Sequence, residues 1–289
     1  MADIEYLAPR DLEEALKAME EWKGRAKVIA GGTNLIPYMR AGWVSPELLI
    51  DFSGLKDLDL IKREDETLSI GALTTIAEVA SSETLRSFSP ILPNAAGHLG
   101  NPLCRNRATI GGNLANASPG ADMAPPLLVL EASVHTERGG ESSREIPLDQ
   151  FFLGPNKTVL EQDEVITQIS FPKPKDSATG SQTKFGLRNA DALSIVNIAV
   201  MIEMEGKLCR KARVALCPLA PTPIRMYRVE ETLEGNEITA ELLDECGDML
   251  KQEVTPRLVS IRASAEYRKV LSSVLFKRAV REALKGVET

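Results

Sequence analysis

The chain has 289 residues, of which 43% are hydrophobic and 26% are charged, a composition typical of a globular protein of one to three domains. A formal charge of −7 at pH 7 argues against a nucleic-acid surface, and no apolar run approaches the roughly 20 residues that a membrane span needs. Four cysteines without C-x-x-C spacing and only two histidines exclude a zinc site and a disulfide framework, so we expect no metal on this chain, reduced thiols and a cytoplasmic protein.

Helices and strands alternate in the first part of the chain. Apolar residues at helical spacing after the turn-forming Pro9 and Asp11 predict a helix that begins at Leu12. Pro37 limits the next helix to a short one over residues 35–40, and Thr75 is available to cap a helix over 75–80. Short apolar runs predict strands over residues 27–30, 48–52 and 68–71.

Two glycine pairs stand out because each follows a short β-like run and is trailed by small polar residues. Without a Cβ, the backbone N–H of a glycine can approach a phosphate oxygen closely. We therefore interpret the two segments as phosphate-binding loops that hold a pyrophosphate from two sides. The first segment comprises Ala30, Gly31, Gly32, Thr33, Asn34 and Leu35, and the second comprises Thr109, Ile110, Gly111, Gly112 and Asn113.

Other glycine patterns narrow the choice of nucleotide fold. A third pair, Gly139-Gly140, lies between two strand-like runs and is interpreted as a plain turn. Neither G-x-G-x-x-G at the start of a long helix nor a Gly-Lys-Ser/Thr string is present, which weakens both a Rossmann and a P-loop interpretation.

Asp122 is the one ionisable group in a stretch of small residues over 114–122. Two interpretations stay open: it caps a helix that begins near Met123, or it accepts hydrogen bonds from ligand hydroxyls.

Proline, charge and small polar residues over 171–181 predict an exposed connection between two domains. Beyond it, alternating patterns predict strands over 195–202 and 212–217, and helical spacing predicts helices over 240–251 and 264–284. The second domain is therefore predicted to be α+β.

Four segments in this order carry a resemblance that covers nearly the whole chain. They are residues 30–35, residues 105–113, residues 117–119 with Asp122, and residues 262–268, which read RASAEYR. In this arrangement the chain resembles the FAD-binding medium subunit of the molybdenum hydroxylases, the group that contains xanthine dehydrogenase, carbon monoxide dehydrogenase and aldehyde or nicotinate dehydrogenases.

The resemblance implies an α+β protein with a vanillyl-alcohol-oxidase (PCMH)-type FAD-binding domain over residues 1–174, made of two α/β subdomains (about 1–55 and 56–174). A linker over 175–182 and a C-terminal α+β domain over 183–289, like that of the carbon monoxide dehydrogenase flavoprotein, would follow. FAD would lie between these parts, with residues 30–35 and 109–113 on its pyrophosphate and ribityl chain and Asp122 on a hydroxyl. Lys184 would approach the flavin from the second domain. Leu99 and Ile166 match cofactor-lining positions, although ordinary core packing explains these two equally well.

The same resemblance implies the function of an electron-transfer subunit. A substrate oxidised at a molybdopterin on a large partner chain would send electrons through [2Fe–2S] clusters of a small partner chain to this FAD, and then to NAD or another acceptor. The assembly implied is a dimer of heterotrimers. No catalytic residue is expected on this chain, because flavin chemistry needs binding and orientation from the protein.

Three local features bear on this assignment. One branch of the family carries an extra iron–sulfur cluster on a cysteine-bearing loop, and the run after Asn113 has no cysteine, so no cluster is expected here. Cys104, in a Leu-Cys pair where many relatives have Gln-Ile, is interpreted as a small buried filler rather than a redox thiol. His98 is interpreted as a hydrogen-bonded structural histidine rather than a flavin contact.

Two other functions are alternatives to that of an electron-transfer subunit. A self-sufficient FAD oxidase or dehydrogenase of related fold would need a catalytic base beside the flavin, and histidines and aromatics are scarce. An assembly protein that has lost FAD would show damaged glycine segments, and both segments are intact.

Overall fold

The computed structural model describes residues 4–139, 142–188 and 191–285. Its first unit is a parallel three-stranded sheet with the order β1-β3-β2. Its elements are β1 (Glu5–Leu7), α1 (Leu12–Glu21), β2 (Ala26–Ile29), α2 (Leu35–Arg40) and β3 (Leu48–Asp51).

Helix α1 begins where the sequence predicts. The Asp11 carboxylate caps it by accepting from the N–H of Glu14 (2.8 Å). The apolar face of the helix buries Leu16 and Met19 in one cluster with Ile50 of β3. This packing fixes the sheet, and with it the turn that leaves β2.

The second unit is an antiparallel five-stranded sheet with the order β4-β5-β10-β6-β7, with short helices packed against it. Its strands are β4 (Ile61–Glu64), β5 (Thr67–Gly71), β6 (Ser133–Arg138), β7 (Ser142–Pro147) and β10 (Glu164–Pro172), with the separate hairpin β8 (Phe152–Gly154) and β9 (Lys157–Thr158). Its helices are α3 (Ile76–Ser81), α4 (Glu83–Phe88), α5 (Ile91–Gly97), α6 (Pro102–Arg105), α7 (Ile110–Ala115) and α8 (Ala124–Val129), and 3-10 turns cover Phe52–Gly54, Lys56–Leu58 and Leu148–Gln150.

Two local predictions within this unit can be compared with the structure. Thr75 forms a reciprocal capping box with Glu78 at the start of α3, so the predicted helix and its cap are confirmed. Strands β6 and β7 pair antiparallel on either side of the glycine pair that was interpreted as a turn. Gly139 lies in a turn, whereas Gly140 lies outside the described residues.

The third unit is an antiparallel four-stranded sheet with the order β11-β12-β13-β14 and three helices. Its elements are β11 (Ala178–Phe185), β12 (Val196–Glu205), β13 (Leu208–Cys217), β14 (Ile224–Arg225), α9 (Tyr227–Leu233), α10 (Ala240–Glu253) and α11 (Ala265–Lys285). Segregated strands and helices confirm the predicted α+β character, including the two long helices. Among the described residues, no helix combines the length and apolarity that a bilayer crossing requires.

One boundary differs from the sequence prediction. Strand β11 begins at Ala178, inside the segment 175–182 that was predicted to be a linker. Strand β11 is rich in small polar residues, a composition that does not predict a strand. It forms because it pairs along its full length with the apolar β12, which supplies the partners for its backbone hydrogen bonds.

The second and third units share packing and charge contacts. Ala199, Met201 and Ala215 of the third unit belong to the main core of the second. Glu131 accepts from Arg213 (2.6 Å) and Lys211 (3.2 Å). The third unit is therefore held against α8 and the segment after it, which brings its strand β11 close to the candidate site.

Candidate functional site

A cleft of ≈ 180 Å³ opens between the turn after β2 and the segment that leads into α7. Its walls include Ala30, Gly31, Ser53, Arg107 and Thr109. Gly31 lies directly against the opposite wall, because a Cβ on this residue would stand 1.8 Å from the carbonyl oxygen of Arg107. The first glycine segment and the start of the second thus line one cleft, and glycine is required at residue 31 for this approach.

The turn over residues 31–35 has unpaired donors along its length. Gly32 has a φ of +70°, a conformation that glycine adopts without strain. Within the described part of the chain, none of the five N–H groups of residues 31–35 has a hydrogen-bond acceptor. A run of free, partly exposed N–H groups is an anion-binding feature, which agrees with the phosphate interpretation of this segment.

The second glycine segment differs from its prediction. Residues 110–113 are the first part of helix α7 rather than a loop, and their N–H groups are already bonded within the protein. Gly112 donates to Thr109 Oγ1 (3.1 Å), Asn113 donates to the carbonyl of Thr109 (2.9 Å), and Gly111 donates to the carbonyl of Ala72 (2.9 Å). The N–H groups of these two glycines thus have partners within the protein, and contact of residues 109–113 with a cofactor stays a prediction.

Close packing explains the glycine at residue 111 instead. A Cβ there would stand 2.6 Å from Cβ of Ala72, the residue that follows β5, so only glycine lets α7 pack this closely. Ile110, beside it, is completely buried in the main core. This helix positions Thr109 on the cleft wall, and it does so through packing.

Arg107 is the cation of the cleft wall, and it is not among the cofactor-binding residues predicted from the sequence. Its charge also reaches Asp51 at the end of β3. Burial alone would raise the pKa of Asp51, but hydrogen bonds from Tyr6 and Ser53, together with the charge of Arg107, hold it below the usual value. Arg107 itself was the available sequence signal for this site, since basic side chains next to free N–H groups favour a phosphate.

Lys184 and Asp122 form a buried ion pair between the second and third units. Lys184 Nζ lies 2.7 Å from Asp122 Oδ2 and also donates to the carbonyl of His98 (3.0 Å). The two side chains are only 10% and 9% exposed. Two residues that the sequence analysis selected separately are thus in direct contact.

Asp122 is not the helix cap that was one of its two interpretations. Helix α8 has Met123 at its N-cap and no side-chain cap bond. The carboxylate instead accepts from Ser194 Oγ (2.5 Å) and Asn197 Nδ2 (3.3 Å) through Oδ1, in addition to Lys184. These two polar partners come from a distant part of the chain, and no local sequence signal marks them.

Leu99 and Ile166 both lie in the main core, each 7% exposed. The carbonyl of Leu99 accepts from Arg105 Nη1 (2.9 Å). Core packing accounts for both side chains, and their contact with a cofactor stays a prediction.

His98 and Cys104 lie near the Lys184 contact. The ring of His98 is exposed and has no hydrogen-bond partner among the described residues, so its interpretation as a hydrogen-bonded structural histidine is wrong. Cys104 is half-buried against the main core, and burial raises the pKa of its thiol. A protonated thiol in this position agrees with a packing role.

Two family models match the two parts of the chain. Residues 2–174 match the model of the FAD-binding domain in molybdopterin dehydrogenase, and residues 182–283 match that of the carbon monoxide dehydrogenase flavoprotein C-terminal domain. The chain belongs to the FAD-binding medium subunits of the molybdenum hydroxylases. As a member of this family, it is an FAD-dependent oxidoreductase subunit.

Individual relatives match along their whole length. The carbon monoxide dehydrogenase medium chain of Hydrogenophaga pseudoflava is 32% identical over 97% of this chain and 96% of its own, and the nicotinate dehydrogenase FAD-subunit of Eubacterium barkeri is 30% identical over 100% and 98%. A solved structure of carbon monoxide dehydrogenase from H. pseudoflava superimposes with a TM-score of 0.95 at 31% identity over 98% of both chains. The quinoline 2-oxidoreductase of Pseudomonas putida 86 gives 0.93 at 27% identity over 99% of both chains.

The residues of the cleft fit the diphosphate part of FAD. Gly31 and Arg107 line one cavity, and the free N–H groups of residues 32–35 follow Gly31 directly along the chain. A volume of ≈ 180 Å³ has room for a diphosphate but not for a whole dinucleotide.

Proposed function

We propose that this chain is the FAD-carrying electron-transfer subunit of a multisubunit molybdenum hydroxylase. It accepts electrons from [2Fe–2S] clusters of a small subunit after substrate oxidation at the molybdopterin of a large subunit, and passes them to NAD or another acceptor. The observation that carries the proposal is the run of five N–H groups over residues 31–35 that have no acceptor among the described residues, a run that begins at the cleft of a chain with the FAD-binding domain.

In this proposal, the turn over residues 31–35 binds the pyrophosphate. Its N–H groups donate to phosphate oxygens, and Arg107 offsets their negative charge. Thr109 and the first turn of α7 form the opposite wall. Their part is to shape the cleft, since the N–H groups of Gly111, Gly112 and Asn113 are bonded within the protein.

FAD supplies the redox chemistry when bound, because a flavin accepts one or two electrons. The chain's own residues bind and orient it, and no side chain is required to move a proton. The Lys184–Asp122 pair holds a fixed charge arrangement where β11 meets the second unit, with the lysine also held by a backbone carbonyl. If the flavin of bound FAD lies beside Lys184, this preorganised cation would stabilise negative charge on it without reorganising.

The proposed assembly contains one large and one small partner chain for each copy of this chain, as a dimer of heterotrimers in the cytoplasm. The relatives support partners, because they are the medium chain of carbon monoxide dehydrogenase and the FAD-subunit of nicotinate dehydrogenase. A self-sufficient FAD oxidase is less well supported. The carboxylate of Glu78 on the cleft wall is occupied by Thr75, which leaves it poorly placed to serve as a catalytic base.

The test is purification of the protein from its own source under native conditions. We expect flavin absorption, a native mass that includes a large and a small chain, and molybdenum and iron in the same complex. Under anaerobic conditions, NADH should bleach the flavin absorption if NAD is the acceptor, since electrons then flow in reverse. A colourless lone chain that does not take up added FAD would refute the proposal.

A further inference from the structure

Arg268, in the first turns of α11, is a buried cation without an anionic partner. Arg268 is 4% exposed. Its Nη2 donates to Ser260 Oγ (2.7 Å) and its Nη1 donates to the carbonyl of Pro218 (3.4 Å). Its Nε has no acceptor, and no described carboxylate forms an ion pair with it. A buried guanidinium is ordinarily paired, so the missing counter-charge requires an explanation.

Two more arginines surround this cation. Arg257 and Arg262 are exposed and unpaired within the described chain. Burial is the main cause that lowers the pKa of Arg268, and the charges of Arg262 and Arg257 lower it further. Three positive charges therefore lie together in a protein whose net charge is −7. Among the described residues, none of the three forms a salt bridge with a carboxylate, and Glu253 pairs with Arg228 (3.2 Å).

The loop that carries these arginines also has apolar side chains in solvent. Leu258, Val259 and Ile261 are 86%, 83% and 99% exposed. The stripe continues onto α11, where Tyr267, Val270 and Val274 are about half exposed at helical spacing. A contiguous exposed apolar surface with a charged rim is typical of a protein interface.

We infer that this loop and stripe, residues 257–274, form the docking surface for an acidic and apolar segment of a partner polypeptide of the complex. The carboxylates of that segment would pair with Arg257 and Arg262 and offset the charge of Arg268 behind them, while its apolar side chains cover Leu258 and Ile261. A second copy of this chain is the competing occupant, and the test below distinguishes it by the oligomeric state of the chain alone. This inference rests on the proposed function, which supplies the partner chains.

The test is a charge reversal, Arg257→Glu with Arg262→Glu, in the chain produced together with its large and small subunits. Because both residues are exposed and unpaired, the fold and the FAD content should not change. Association of the partner chains, measured by native mass spectrometry over a dilution series, should weaken roughly a hundredfold, since like charges then face each other. The matched control is Lys17→Glu with Lys27→Glu, an equal charge change at two exposed lysines of the first unit, and it should assemble like the wild type.

A second variant tests the apolar part without altering charge. Leu258→Ser with Ile261→Ser should also weaken association, and it should leave the melting temperature of the isolated chain unchanged because both side chains are exposed. Assembly of both variants at wild-type strength would overturn the inference, as would a dimer of this chain alone that the charge reversal dissolves. Loss of FAD from the wild-type chain would instead contradict the proposed function, so the two failures are distinguishable.

Discussion

Replacing Gly31 with alanine tests the close approach that forms the cleft. The added Cβ would lie 1.8 Å from the carbonyl oxygen of Arg107, whereas ordinary van der Waals contact begins at 3.4 Å. The turn and the opposite backbone must therefore separate by about 1.6 Å. Overpacking of this kind costs about 1–3 kcal/mol of folding free energy.

The same displacement removes N–H groups from reach of the pyrophosphate. Loss of two charge-assisted hydrogen bonds, at about 1.5 kcal/mol or more each, predicts FAD binding that is weaker by roughly 150-fold. The assay is a titration of FAD into apoprotein, monitored by quenching of flavin fluorescence, alongside urea unfolding.

Gly154→Ala is the matched control, because a Cβ at that residue meets nothing within 4 Å. It should bind FAD and unfold like the wild type. If Gly31→Ala folds with wild-type stability and binds FAD with unchanged affinity, the packing argument for this cleft is refuted.

Three further predictions concern stability. Gly111→Ala should destabilise the protein by about 1–3 kcal/mol through its clash at α7, seen as a lower urea midpoint, and an unchanged midpoint would contradict the packing explanation. Lys184→Met should cost about 3–5 kcal/mol because it leaves the buried Asp122 carboxylate unpaired, and adding Asp122→Asn should restore much of the loss. Burial alone would raise the pKa of Glu164, but hydrogen bonds, that from Arg144 foremost, hold it below the usual value. The stability that ionised Glu164 contributes is therefore complete above about pH 4.3 and disappears as the pH falls through the lowered pKa. Glu164→Gln should flatten this acid dependence in unfolding experiments between pH 3 and 6, and an unaltered pH profile would argue against it.

Local signals were sufficient for much of the secondary structure. Thr75 caps the helix that it was predicted to cap, and the helix predicted after the turn-forming Pro9 and Asp11 begins at Leu12 with Asp11 as its cap. Both starts are local, because an N-cap depends on a side chain and an N–H only three residues away. The periodic patterns of the third unit likewise predict α11 and β12, because the spacing of apolar residues along the chain is enough to indicate a helix or a strand.

Long-range contacts account for what the sequence could not predict. The packing need for glycine at residue 111 arises because Ala72 lies against it, and this neighbour is unknown before the chain folds. The same holds for Asp122, whose partners Lys184 and Ser194 belong to another unit. Among the described residues, the first glycine segment retains a run of five free N–H groups, as the pattern indicated, because there the neighbouring backbone leaves the donors uncovered.

The central claim is that the turn over residues 31–35 binds the pyrophosphate of FAD. The most direct measurement compares FAD with riboflavin, which has the same ring system but no phosphate, in a fluorescence titration of the apoprotein. The account predicts one FAD per chain and riboflavin binding that is weaker by at least about 100-fold, because riboflavin cannot use the N–H groups of this turn. Equal affinity for the two flavins, or no uptake of FAD, would contradict it.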